Sequence, residues 1–165
     1  MPLSEPSLWK RIYDFELDDP NASLNFSDRL ARENGWGKDF SLRVIEQYKR
    51  FMYLLCVSHE PLTPSDQVDQ AWHLHLIYTH SYWTEFCGTV LQREIHHGPT
   101  LGGGDEHVKF TDWYARTKER YAAQFGTQPP VDIWPGNKER FAAIHFQRVD
   151  KAKNLVIPLP FSLRR

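Results

Sequence analysis

His73, His75, His80, His96, His97 and His107 are six of the chain's eight histidines, and they fall within 35 residues of one another. Imidazole is the commonest protein ligand for transition metals and the side chain that exchanges protons most readily near pH 7. Whether these rings can meet is a question of spacing. On a helix each residue turns about 100°, so Asp69 and His73 share a face one turn apart. At that separation a carboxylate can take the second ring proton of a metal-bound imidazole from outside the coordination sphere, or serve as a base. His75 lies about 200° round from His73, so a regular helix cannot aim both at one ion. Either the helix loosens near residues 76–78, or one of the two rings is structural. If the helix runs on without interruption, His80 returns to nearly the face of His73.

A second element has to supply what the helix cannot. His96 and His97 lead into Gly98-Pro99-Thr100-Leu101-Gly102-Gly103-Gly104, which can sustain neither a helical nor a strand period and lets the backbone fold back. One helix and one loop offering two or three nitrogen ligands suit zinc first, and also iron, nickel or copper. The spacing is neither that of a zinc finger nor the His-Glu-x-x-His of a metalloprotease. The three consecutive glycines lack the Lys-Ser/Thr of a phosphate-binding loop. Each feature also has a structural explanation. His73 and His75 can be hydrogen-bonded core residues, His80 an exposed helix-start residue, and His107, beside Asp105 and Glu106, part of a solvated face. Trp72 and Tyr82 serve as core or as walls of a pocket. Cys56 and Cys87 have no CxxC partner and read as unbridged thiols.

The elements that must position these residues are helical. Residues 8–15 and 27–34 give two short helices, the second capped by Gly35. Val44, Tyr48, Phe51 and Leu55 repeat at helical spacing through residues 40–57. Thr63 is the expected cap of a fourth helix with Pro64 at its first position. A further aromatic helix spans residues 81–91 and another residues 105–125, stopped by Gly126. Residues 127–136 are too rich in proline for a helix and are expected to lie over the core as an ordered strap. Asn137 is the expected cap of a last short helix, and from about residue 151 the tail reads as extended, with Pro158 and Pro160. The expectation is an all-α single domain over residues 1–165, with six to seven helices and long Gly/Pro-rich connections.

Composition bounds the function. The 165 residues carry 20 basic and 21 acidic side chains, a net charge of −1, which lacks the positive footprint of a nucleic-acid binder. No apolar run approaches a membrane span, and Met1-Pro2-Leu3-Ser4-Glu5 is unlike the start of a signal peptide. Two cysteines suit a reducing compartment, so the expected location is cytoplasmic, with no nucleic-acid or membrane partner. Aromatics make up 14% of the chain, enough to build the core on large flat side chains.

Ser65-x-x-Val68-Asp69-x-x-Trp72-His73-x-His75, then Tyr82, then Ile95-His96-His97-x-x-Thr100, resembles the helical domain of the glycine-rich domain-containing protein-like family of plants, fungi and bacteria. The strap Pro129-Pro130-Val131-Asp132-Ile133-Trp134-Pro135 and Tyr114-Ala115-Arg116-Thr117 extend the resemblance over most of the chain, to small bacterial members. The glycine-rich part of the larger members has no counterpart here. By position, the resemblance picks out Asp69, Trp72, His73, His75, Tyr82 and, from the register of Ile95 and Thr100, His97 rather than His96. Plant members place an acidic residue after that last histidine, where this chain has Gly98. They also tend to have proline near position 79, which implies a helix break that would let His73 and His75 reach one site. The resemblance implies no established reaction.

Two functional readings follow. In the first, His73, His75 and His97 hold one transition-metal ion, zinc ahead of iron or copper. Asp69 then acts from outside the coordination sphere or as a base, and an open position could activate water for a metal-dependent reaction. In the second, the same residues form a metal-free hydrogen-bond network within a helical interaction or scaffold domain, with Trp72, Tyr82 and Trp134 in the core.

Overall fold

The computed structural model describes residues 3–98, 104–142, 149–150 and 152–157, and of residues 104–107 only the backbone. Among these the architecture is all-α, with no strand. Six α-helices, α1 (Pro6–Asp14), α2 (Phe26–Asn34), α3 (Lys38–Val57), α4 (Asp66–Ile77), α5 (Gly104–Phe125) and α6 (Asn137–Arg140), are joined by one π-helix, His80–Leu91, between α4 and α5. None of the helices is long and apolar enough to cross a membrane among the described residues. Thr100, Gly102 and Gly103, the side chain of His107, and Pro158 and Pro160 in the tail lie outside what is described.

Helix α3 organises the rest. Its buried residues Val44, Ile45, Gln47, Tyr48, Lys49, Phe51, Met52, Tyr53 and Leu54 run round most of its circumference, the pattern of a helix enclosed by neighbours. Helices α1, α2, α4 and α5 pack on it. Tyr48, Tyr53, Tyr82, Tyr114, Phe51 and Phe86 are among the largest fully buried side chains, so the core is aromatic as its composition implies. A lysine completes one join: buried Lys49 donates to the Tyr13 carbonyl at 2.8 Å, putting a cation on the exposed acceptors at the C-terminal end of α1.

Three details differ from the sequence expectation. The cap of α4 is Ser65, whose hydroxyl accepts from the Val68 N–H at 3.2 Å. Thr63 is engaged elsewhere: its N–H donates to the Thr117 hydroxyl at 3.0 Å, and that hydroxyl lies 3.0 Å from the Thr63 carbonyl, tying the entry of α4 to α5. The second difference is the winding of the aromatic helix, which is π rather than α. Its buried residues, Tyr82, Phe86, Cys87 and Leu91, recur at intervals of four to five, which i→i+5 winding gathers onto one face. Similarly, Gly136 rather than Asn137 precedes α6, and Asn137 is its first residue.

The strap lies over the core as expected. Ile133 and Trp134 are buried, Trp134 stacks on Tyr114 with ring centres 5.9 Å apart, and its indole donates to Gln47 at 3.2 Å. Arg43 pairs with Asp132 at the surface, 2.7 Å apart. Truncating Trp134 to Ala is expected to cost about 3–5 kcal/mol through the cavity left against Phe51, Tyr114 and Tyr121. Val131→Ala on the same strap, 81% exposed, is expected to change stability by less than about 0.5 kcal/mol. Urea denaturation of the two variants checks the contrast.

Candidate metal centre

Helix α4 presents two faces with opposite surroundings. His73 points outward with 49% of its side chain exposed, and Asp69, one turn earlier, is 19% exposed. The chain returns to them after the π-helix. Gln92 ends that helix in the left-handed conformation (φ 56°, ψ 32°), reversing the backbone, and Arg93 anchors the turn by donating to the Cys56 carbonyl of α3 at 2.8 Å. From there the segment runs back over α4. His97, 18% exposed, brings Nε2 to 2.8 Å from Asp69 Oδ1. His73 Nε2 lies 4.0 Å from the other carboxylate oxygen, and the two imidazole centres are 4.5 Å apart. One ligand atom from each of Asp69, His73 and His97 lies within 4.8 Å of the others.

These three residues are what the structure brings together. One Asp69 oxygen is hydrogen-bonded to His97 and the other lies 4.0 Å from His73, so the carboxylate is near enough to share an ion with the two rings as well as to orient one of them. The choice of His97 over His96 agrees with this geometry: His96 is 72% exposed, 3.3 Å from Glu94 Oε2, with its ring against Trp83. His80 is also outside the group, exposed and 3.5 Å from Glu85.

Trp72 is 6% exposed and Tyr82 fully buried, so both are core residues, and Trp72 reaches the group. The Trp72 ring lies 4.4 Å from that of His97. Its indole N–H donates to the Tyr82 hydroxyl at 2.9 Å, and that hydroxyl donates to the Ile95 carbonyl at 2.5 Å. Ile95 is two residues before His97, so the same pair of side chains touches the loop through its backbone and through its imidazole.

His75 is not brought to this group. It is fully buried on the opposite side of α4, with Nδ1 2.9 Å from the Tyr48 hydroxyl and Nε2 3.2 Å from the Ser81 hydroxyl. Phe15, Phe26, Tyr82 and Phe86 surround the ring. The helix break does occur, at Tyr78 (φ −81°, ψ 65°), but it comes after His75. The backbone between His73 and His75 therefore stays helical, and the half-turn between them holds. Both nitrogens of His75 are satisfied within the core, and no face is left for an ion that Asp69 and His97 share. Tyr48 and Ser81, its two partners, carry no signal in the sequence beyond being polar residues in apolar helices.

Burial pushes the His75 imidazole down to about 3 and the Tyr48 hydroxyl well above its ordinary value. Both shifts suit a neutral ring that accepts from the tyrosine at Nδ1 and donates to Ser81 at Nε2. The two thiols are free, and burial raises both, Cys56 to about 11, which leaves them protonated and unreactive near neutrality. Comparison of the chain with protein-family models, with curated proteins and with solved structures finds no match.

The buried neutral His75 makes stability pH-dependent. Its folded value of about 3 lies below the unfolded value of about 6.5, so between these limits the unfolded chain binds the extra proton. The His75 contribution is full above about pH 6.5 and is lost progressively as the pH falls toward 3. Denaturation at pH 7 and pH 4.5 should show a marked fall in stability for the wild type and a smaller one for His75→Gln, which is itself less stable at pH 7.

Proposed function

We propose that this protein binds one divalent transition-metal ion through Asp69, His73 and His97, and that the bound ion is an open, reaction-competent centre. The observation that carries the proposal is the convergence of two imidazoles and one carboxylate, from a helix and a returning segment, within 4.8 Å. Two ligand atoms on a tetrahedral zinc ion, each about 2.0 Å from it, lie about 3.3 Å apart. With one ligand atom taken from each residue the separations reach no more than 4.8 Å, so binding asks the ligand atoms to close on one another by up to about 1.5 Å. The half-exposed His73 side leaves further coordination positions open to solvent.

Two nitrogens and one oxygen suit zinc, and the same donors with open positions suit iron(II); copper also accepts them. With zinc, the ion would act as a Lewis acid whose bound water titrates near pH 7 and attacks an electrophilic substrate. Whichever carboxylate oxygen of Asp69 does not ligate is placed to accept a proton from that water. The resemblance to the glycine-rich domain-containing protein-like family picks out Asp69, His73 and His97 together with His75, and we propose that the chain belongs with it.

The 2.8 Å contact between Asp69 and His97 favours a second reading, in which a hydrogen bond merely pins the returning segment to α4 and the domain serves as a scaffold. His73 separates the two. It is half exposed and makes no short bond to Asp69, so truncating it disturbs no buried pair. Metal analysis of protein purified without a histidine tag is expected to find one ion per chain in the wild type. His73→Ala should lose that ion while melting at the temperature of the metal-free wild type, and added Zn²⁺ should stabilise only the wild type. His97→Ala should lose the ion and also about 1–3 kcal/mol of stability, because Asp69 is left unpaired. Metal-free wild type that Zn²⁺ does not stabilise leaves the scaffold reading in its place.

A further inference from the structure

A single buried hydroxyl joins the helix that carries His73 to the segment that carries His97. Tyr82 has no exposed surface, and its oxygen has Trp72 Nε1 at 2.9 Å on one side and the Ile95 carbonyl at 2.5 Å on the other. An indole N–H can only donate and a carbonyl can only accept. The tyrosine must therefore accept from the first and donate to the second, so this relay has one direction and no alternative arrangement of protons. Each end of it bears on His97. Trp72 provides the surface against which the imidazole lies, 4.4 Å between ring centres, and Ile95 sets the backbone two residues before it.

We infer that Tyr82 is a positioning residue of the site: its hydroxyl, acting through Trp72 and the Ile95 carbonyl, holds the His97 imidazole against Asp69. This goes beyond the metal reading, because the placement of the ring is set before any ion arrives. The arrangement also accounts for a buried tyrosine where phenylalanine would pack as well. Without the oxygen, the indole N–H and the Ile95 carbonyl both lose their shared partner in a buried place, and the segment before His97 loses its hydrogen bond to the π-helix at Ile95. A displacement of His97 by about 1 Å is enough to break a 2.8 Å hydrogen bond.

The test uses the full chain, isotopically labelled and freed of metal with a chelator, at a temperature where every variant is folded. In the wild type, nitrogen NMR of the imidazoles is expected to show His97 with its proton on Nε2 in a strong hydrogen bond. Tyr82→Phe is expected to abolish that signature while the signals of His75, on the other side of α4, stay in place. Co²⁺ titration of the same samples should show affinity falling about 10–100-fold in the variant. A tyrosine with only a packing role would lower the melting temperature and move neither readout. An unchanged His97 signal in Tyr82→Phe overturns the inference. Should that variant not fold, Trp72→Phe interrupts the relay at its other end, and an unchanged His97 signal there overturns it equally. Wild-type protein that takes up no Co²⁺ while Tyr82→Phe still releases His97 upholds the positioning role and removes the metal reading.

Discussion

Everything at the surface site depends on keeping a returning chain segment in register with a helix it is not part of. A ligand ring tolerates errors of only a few tenths of an ångström, whereas an irregular segment with solvent on one side has little of its own to hold it. This chain solves the problem from below. The reversal at Gln92 is anchored by Arg93 on the end of α3, the Ile95 carbonyl is held by Tyr82, and only then does His97 reach Asp69. Each of these partners belongs to a helix packed in the common core, so the exposed residues inherit their positions from buried ones.

The two histidines of α4 show how environment, and not residue type, assigns a role. His73 and His75 stand two residues apart on one unbroken helix and differ in almost every physical respect. One is half exposed beside a carboxylate and a second imidazole; the other is enclosed by aromatic rings, with both nitrogens occupied. Desolvation keeps the buried ring neutral. It thus serves as a polar joint between α3, α4 and the π-helix, through Tyr48 and Ser81, and this joint orients the outward face of α4.

The π-helix is the unusual element, and its position explains its presence. It has to bury Tyr82, Phe86, Cys87 and Leu91 along one line against α1 and α4, while turning Tyr82 toward both Trp72 and Ile95. Such winding is common next to functional sites, where a side chain must be aimed differently than an α-helix would aim it. Aromatic packing does the corresponding work at the far side of α3, where the strap fills the gap between α3 and α5 with Trp134.

Fold class and element order were legible in the residues, because helical periodicity, glycine caps and proline-rich breaks act locally and each leaves its mark within a few positions. The pairing of Asp69 with His73 was legible for the same reason, as one turn of helix is a local relation. The choice of His97 over His96 rested on resemblance, since both lie in a segment without a period. The expectation that His73 and His75 both reach one ion rested on a helix break near residues 76–79; the break falls at Tyr78, the backbone between the two rings stays helical, and only His73 comes to Asp69 and His97. The winding of the π-helix is faintly written in the apolar pairs at 82–83, 86–87 and 90–91, whose spacing of four also fits an α-helix, so the period alone does not decide it. The partners that matter most, Tyr48 for His75 and the Ile95 carbonyl for Tyr82, lie 27 and 13 residues away along the chain. A hydrogen bond between residues so separated depends on how whole helices dock, and docking is a property of the assembled core rather than of any stretch of sequence.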